Sequence, residues 1–247
     1  MQHLLIFVIA FTGWSINTLA AGGGSLLLIA ALSYVIPLVD VAPVVTVGSL
    51  IAGISRITLS WRLIDWQVVR WYTPATVLGA IVGAWTFAHV DTAWLQVVVG
   101  LFLVSAAWQY RFGARERSFA MTLPIFIPVS FVIGLVSAVI GASGLIANPF
   151  YLNYGLTKER MLATRAANSM LLQVTKLISY AAFGVLQWGT LHDGVIAGAG
   201  TVAAIILVTP VLGRTSPRAF RTFAVLAMFA TGLLMVWRHR AMLGMMG

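Results

Sequence analysis

"INTLAAGGGSLLLIA", residues 16–30, sets three consecutive glycines between two long apolar runs, and no Asp, Glu, Lys or Arg occurs before Asp40. If both runs were full membrane spans, "LAAGGGSLL" would be a loop in water carrying one polar side chain, Ser25. A helix needs about 20 residues to cross the hydrocarbon core, and the run after the glycines, 25–39, covers only about 22 Å. The stretch therefore predicts a hairpin that enters the bilayer and turns back at its glycines. Non-helical backbone at that depth persists only when buried in protein or lining a wet cavity.

Composition points to the same solvent. The chain is 60% hydrophobic and 9% charged, where soluble domains carry about a quarter charged residues, so it reads as an integral membrane protein. The formal charge of +9 is spread between apolar segments rather than clustered, which fits retention on an anionic membrane face and argues against nucleic acid. The absence of cysteine excludes disulfides, thiolate metal sites and Cys nucleophiles. No basic n-region precedes the first apolar run and no cleavage site stands out, so that run is expected to stay in the membrane.

Ten apolar segments are expected, at about 4–21, 25–39, 41–60, 70–88, 93–110, 122–140, 144–156, 160–184, 190–213 and 217–237. The second and seventh are short, and each follows a glycine-containing stretch, "AAGGGS" (20–25) and "GASG" (141–144). The charged run "RFGARERSFAM" (111–121) divides the chain, so the expected organisation is a repeat over 1–112, a cytoplasmic linker over 113–121 and a second repeat over 122–247. A shift of 120 residues lays Gly24 on Gly144, Tyr34 on Tyr154, Ser49 on Ser169 and Arg56 on Lys176.

Loop charges then orient the halves. "SWRLIDWQVVRW" (60–71) is basic, while its counterpart "GVLQWGTLHDG" (184–194) has no Lys or Arg. "FAHVDTAW" (87–94) has none either, while "GRTSPRAFR" (213–221) carries three Arg; "VIPLVDVAP" (35–43) lacks basic residues and "GLTKERM" (155–161) has two. Equivalent loops thus fall on opposite sides by the positive-inside rule. Only the tail "RHR" (238–240) runs against it. The expected fold is an all-α membrane protein of two inverted repeats, about five segments each, each with a Gly-rich re-entrant or broken helix hairpin. Such repeats mark secondary transporters.

Glycine tips that come close to a ligand, followed by a helix N-terminus, make a concave site for an anion. Gly22, Gly23, Gly24 and Ser25 form one tip; Ser143, Gly144 and Asn148 belong to the other. Arg165, Asn168, Ser169, Lys176 and Ser179 recur at helical spacing on the eighth segment, and Thr46, Ser49, Gly53, Arg56 and Ser60 make the matching stripe on the third. These stripes equally suit a polar seam between helices, with Arg56 and Arg165 snorkelling. Lys176 is harder to place that way, lying about two turns inside its segment. All six acidic residues and all four histidines fall in loops or at segment ends. No carboxylate is expected beside Lys176, and no buried proton relay. A charge at membrane depth needs a partner or water, which suggests an anionic substrate; no metal or cofactor is expected.

"AAGGGSLLLIAAL" (20–32) and "GASGLIANPFYL" (141–152), each followed by a Ser-bearing helix ("TVGSL", "TRAANSM"), resemble the TauE/SafE sulfite exporter family. Ile29 or Ala30 stands where that family usually has proline, and Ala142 and Ser143 where glycine is common. The resemblance implies movement of sulfite, organosulfonates or other small anions across a bacterial plasma (inner) membrane by a multi-pass protein. An anion channel or a non-transporting receptor is an alternative. "GASG" around Ser143 also matches the nucleophile motif of rhomboid proteases, with His192 as base. That histidine sits in an expected external loop, and the glycine pseudo-symmetry has no use in a protease.

Overall fold

The computed structural model describes residues 1–19, 24–90, 94, 97, 101, 121–141, 147, 150, 151, 153–208 and 233. Side chains at 18, 19, 24–27, 55, 56, 58, 59 and 158 are not part of that description. Seven α-helices and no strand occur among these residues: α1 (Gln2–Leu19), α2 (Gly24–Leu32), α3 (Leu38–Ser60), α4 (Trp66–His89), α5 (Phe126–Ile140), α6 (Lys158–Ala182) and α7 (Trp188–Val208). The described residues are largely helical, and the stretches Leu123–Ile140 and Trp188–Val208 are long and apolar enough to cross a membrane. The fifth and tenth expected segments lie almost wholly outside the described residues, as do the linker and the tail at 238–240.

Local chemistry sets the helix boundaries. Asp65 accepts from the N–H groups of Gln67 and Val68, which caps α4. Thr157 caps α6 by accepting from Arg160 N–H. α5 stops at Gly141, whose φ of +97° suits a residue without Cβ, and its N–H returns to the Ser137 carbonyl. α2 ends at Leu32, well short of the expected 39. Tyr34 and Val35 make only i→i+3 bonds there, and Pro37 has no N–H to continue a helix and disfavours helical backbone at Ile36. "TLHDG" (190–194) is also not loop but the opening of α7.

Helix positions recur along the chain. α3 and α6 begin 120 residues apart, at Leu38 and Lys158, and α4 and α7 begin 122 apart, at Trp66 and Trp188. Packing follows the same exchange. α7 packs against α1 and α3, and α4 against α5 and α6. α4 is thus seated on helices that follow it in the chain, and α7 on helices that precede α4.

Contacts along the helices give their relative directions. Thr190 meets Asp40, Gly194 meets Val47 and Gly198 meets Ile51, so α7 runs beside α3 in the same sense. His3 meets Asp193 and Phe7 meets Gly200, so α1 shares it. Thr76 meets Ser130 and Gly83 meets Ala138, which sets α5 along α4. Asp65 meets Thr164 and Phe87 meets Tyr180, which sets α6 along α4 as well. α3 and α6 oppose each other. Ile57, near the end of α3, packs against a cluster that includes Ala163 and Ala167 near the start of α6, while Thr46 interacts with Tyr180 near its end.

Close approach between α4 and α5 rests on glycine. A Cβ on Gly79 would collide with the Phe131 carbonyl, and one on Gly134 with the Thr76 carbonyl. Small residues of this kind let backbones pack where lipid offers no hydrophobic drive to associate.

Candidate functional site

Lys176 is fully buried on α6, five residues after Leu171 on the exposed side of the same helix. Its ammonium reaches the Ser137 hydroxyl of α5 at 3.4 Å, a long hydrogen bond. Among the described residues the ion pairs are Arg160–Asp65 and His3–Asp193, both at helix ends, so no carboxylate is within 4.0 Å of Lys176. Asp40 and Glu159 sit in first helical turns and Asp65 at an N-cap, as their sequence context suggests. Asp91 and Glu116 are outside the described residues.

One turn beyond Lys176, the Tyr180 hydroxyl donates to the Ala138 carbonyl and its ring packs on Phe87. One turn beyond Ser137 comes Gly141, buried, where a Cβ would lie 3.2 Å from Ala42 Cα and 3.4 Å from Ile29 Cδ1. The first residue of the second glycine stretch therefore abuts α2 and α3. It does so beside the opening turns of α3, towards the end of the bundle where α1, α3 and α7 begin, rather than halfway along.

Further down α6, Asn168 is buried and donates to the Tyr151 hydroxyl at 2.8 Å. Its Oδ1 and the Oε1 of buried Gln173 have no partner among the described residues. Tyr151 stacks on Tyr72 and tilts against Phe126, an aromatic cluster that closes this end of the α4–α5–α6 group. Unsatisfied amide oxygens in a dry core cost about 1–3 kcal/mol each, so they mark where water or a ligand group has reason to sit. A groove of about 600 Å³ lined by Arg70, Trp71 and Pro74 opens elsewhere, on the outer side of α4.

The remaining expected residues divide. Ser49 and Arg165 are half-buried on α3 and α6. Ser169 is exposed, so it does not join Asn168 and Lys176 on the buried face, although its spacing places it within one helical step of Asn168. Gly24 opens α2 and Ser25 follows it; Arg56 lies on α3. Their side-chain positions, and all of Gly22, Gly23, Ser143, Gly144 and Asn148, lie outside the described residues. Sequence reasoning missed Ser137, Gln173 and Tyr151. Ser137 had a signal: a polar residue one turn before a glycine stretch, in a helix of mostly aliphatic composition. His192 is exposed on α7 and faces His3.

The buried Lys176 amine, with the Ser137 hydroxyl as its described partner one turn before the left-handed Gly141, makes this the candidate site for a negatively charged or strongly polar guest. No curated relative and no solved structure matches the chain. The sequence profile described as sulfite exporter TauE/SafE matches residues 5–235. The chain therefore belongs to the sulfite exporter TauE/SafE family, a family of membrane transporters.

Proposed function

We propose that the protein is a secondary transporter of a small anion, sulfite or an organosulfonate being the best chemical fit, in a bacterial inner membrane. The observation that carries this is Lys176, fully buried and without a carboxylate partner among the described residues. An anion bound there supplies the missing counter-charge. Ser137 adds a donor, and the backbone N–H groups of the glycine stretch after Gly141 add short contacts.

Two inverted repeats, 1–112 and 122–247 about a cytoplasmic linker at 113–121, make the framework of this reading. The 120-residue recurrence of α3 as α6, and the opposite directions of those two helices, support it. So does the return of the chain between α1 and α3, which run in the same sense: α2, nine residues and about 13 Å long, is too short to be a span. The hairpins α1–α2 and its counterpart after α5 then carry the glycine tips. Under that symmetry Arg56 is the counterpart of Lys176, placed towards the opposite face. Each cation then faces the site from one side of the membrane.

Gly22, Gly23, Gly24, Ser25, Ser49, Ser143, Gly144, Asn148, Arg165 and Asn168 remain the candidate wall of the path between them. The test is radiolabelled sulfite or taurine uptake into proteoliposomes under symmetrical salt. Saturable uptake that unlabelled sulfite inhibits and chloride does not is expected. Flux that stays linear with concentration points to a channel, and no flux with tight binding to a receptor.

A further inference from the structure

At the end of the bundle where α1 and α7 begin, His3, His192 and Asp193 bring three metal-binding atoms within 4.8 Å of one another. His3 Nε2 lies 3.6 Å from Asp193 Oδ1. The two imidazole rings are 4.9 Å apart with planes at 73°, an edge-on arrangement that leaves ring nitrogens free to converge. We infer that His3, His192 and Asp193 form a binding site for a first-row divalent transition cation, Zn²⁺ being the natural probe.

The donor set decides the metal class. Two imidazoles and one carboxylate suit Zn²⁺, Co²⁺, Ni²⁺ or Cu²⁺; Mg²⁺ and Ca²⁺ favour all-oxygen sites. Around a tetrahedral Zn²⁺ with bonds of about 2.0–2.1 Å, neighbouring ligand atoms lie roughly 3.3–3.4 Å apart. The His3–Asp193 pair is already near that separation. The three atoms lie within 4.8 Å of one another, and the exposed His3 and His192 side chains have room to turn inward. His192 and Asp193 are consecutive on a helix and diverge by about 100°. His3 of the neighbouring helix lies beside both, its ring 4.9 Å from that of His192 and its Nε2 3.6 Å from Asp193 Oδ1. Three protein ligands at an exposed position leave coordination open to water.

The site joins residues from opposite ends of the sequence, and a bound ion would fasten α1 to α7. Imidazole ligates only when neutral, so protons compete with the metal and acidification releases it. The bland alternative is a simple His3–Asp193 ion pair, which would not use His192.

The experiment uses the full chain purified without a polyhistidine tag and stripped with EDTA, titrated with Zn²⁺ by calorimetry, with Co²⁺ absorption as a second reading. Expected are a single saturable Zn²⁺ site per chain, a tetrahedral-type Co²⁺ spectrum, and a melting temperature that rises with Zn²⁺ but not with Mg²⁺. His192→Ala and Asp193→Asn should each weaken binding at least about tenfold, the loss that even outer partners of a metal site cause. His89→Ala, at the last residue of α4 and outside the trio, should leave binding unchanged. Metal-free melting of the variants close to the parent shows that they fold. No saturable binding, or binding that survives both His192→Ala and Asp193→Asn, overturns the inference. Neither result bears on whether the chain moves an anion.

Discussion

The Arg160 guanidinium lies 3.1 Å from Asp65 Oδ2 and so ties the start of α6 to the start of α4. Asp40 stands 120 residues before Arg160, at the matching turn of α3, and there the charge is reversed: Asp40 accepts a 2.7 Å bond from Thr190 of α7. Joints at these two 120-residue-spaced turns are thus made once with a cation and once with an anion.

Asp65 does more than pair with Arg160. Its carboxylate caps α4 and its N–H donates to Thr164 Oγ1 at 2.9 Å. Asp65→Ala should cost about 0.5–2 kcal/mol from the lost cap, and more once the bridge is counted. Arg160→Ala removes only a pair whose Arg side chain is half-exposed, about 0–1 kcal/mol. Melting curves in detergent, read through tryptophan fluorescence, should rank Asp65→Ala well below Arg160→Ala. Equal losses would mean that the bridge, not the cap, holds this joint.

Glycine positions should split by what surrounds them. Gly79 presses on the Phe131 carbonyl, so Gly79→Leu must push α4 from α5, at a cost of about 1–3 kcal/mol or more. A Cβ on Gly53, inside α3, meets nothing within 4 Å. Gly53→Ala should instead raise stability by about 0.5–1 kcal/mol, the helix-interior advantage of Ala over Gly. Opposite shifts in melting temperature are the expected result.

The opposed directions of α3 and α6 make a topological prediction that a cysteine-free chain tests cleanly. His192, at the start of α7, and Arg62, in the short 3₁₀ turn after α3, are both exposed. Cysteine at 192 should react with a membrane-impermeant maleimide from outside intact cells, and cysteine at 62 only after the membrane is opened. Reaction of both from the same side would sink the inverted-repeat reading.

Much of this was legible from hydropathy and charge. The starts of α3 and α6 follow from where the apolar runs lie. Pro37 explains the early end of α2 once backbone preference is weighed against an apolar run that continues to Val39. The partner of Lys176 was not legible, because Ser137 lies 39 residues away on another helix, and only the shared packing of α5 and α6 on α4 brings them together. Ser169 misled for a related reason. Helical spacing put it near the polar face, but the edge of that face is set by the neighbouring helices, and Ser169 falls outside it.

Lys176 offers the sharpest test because its two expected effects have opposite signs. Without substrate, a buried ammonium held by one 3.4 Å bond to Ser137 is a burden on the fold. Lys176→Met keeps most of the stem's volume and removes the charge, so the variant should melt at or above the parent's temperature. With a saturating anion, the parent gains stability through binding and the variant does not. Leaving a desolvated anion unmatched costs on the order of 2–4 kcal/mol, which is roughly 30- to 1000-fold in affinity. Ser137→Ala should weaken binding less, about 0.5–1.5 kcal/mol for one hydrogen bond. Arg56→Met should resemble Lys176→Met if the two cations serve one path from opposite faces. The measurement is the shift in melting temperature against sulfite concentration for all four proteins. If Lys176→Met folds and its sulfite-induced shift equals the parent's, the ammonium is not in the site, and anion selection falls to the glycine backbone alone.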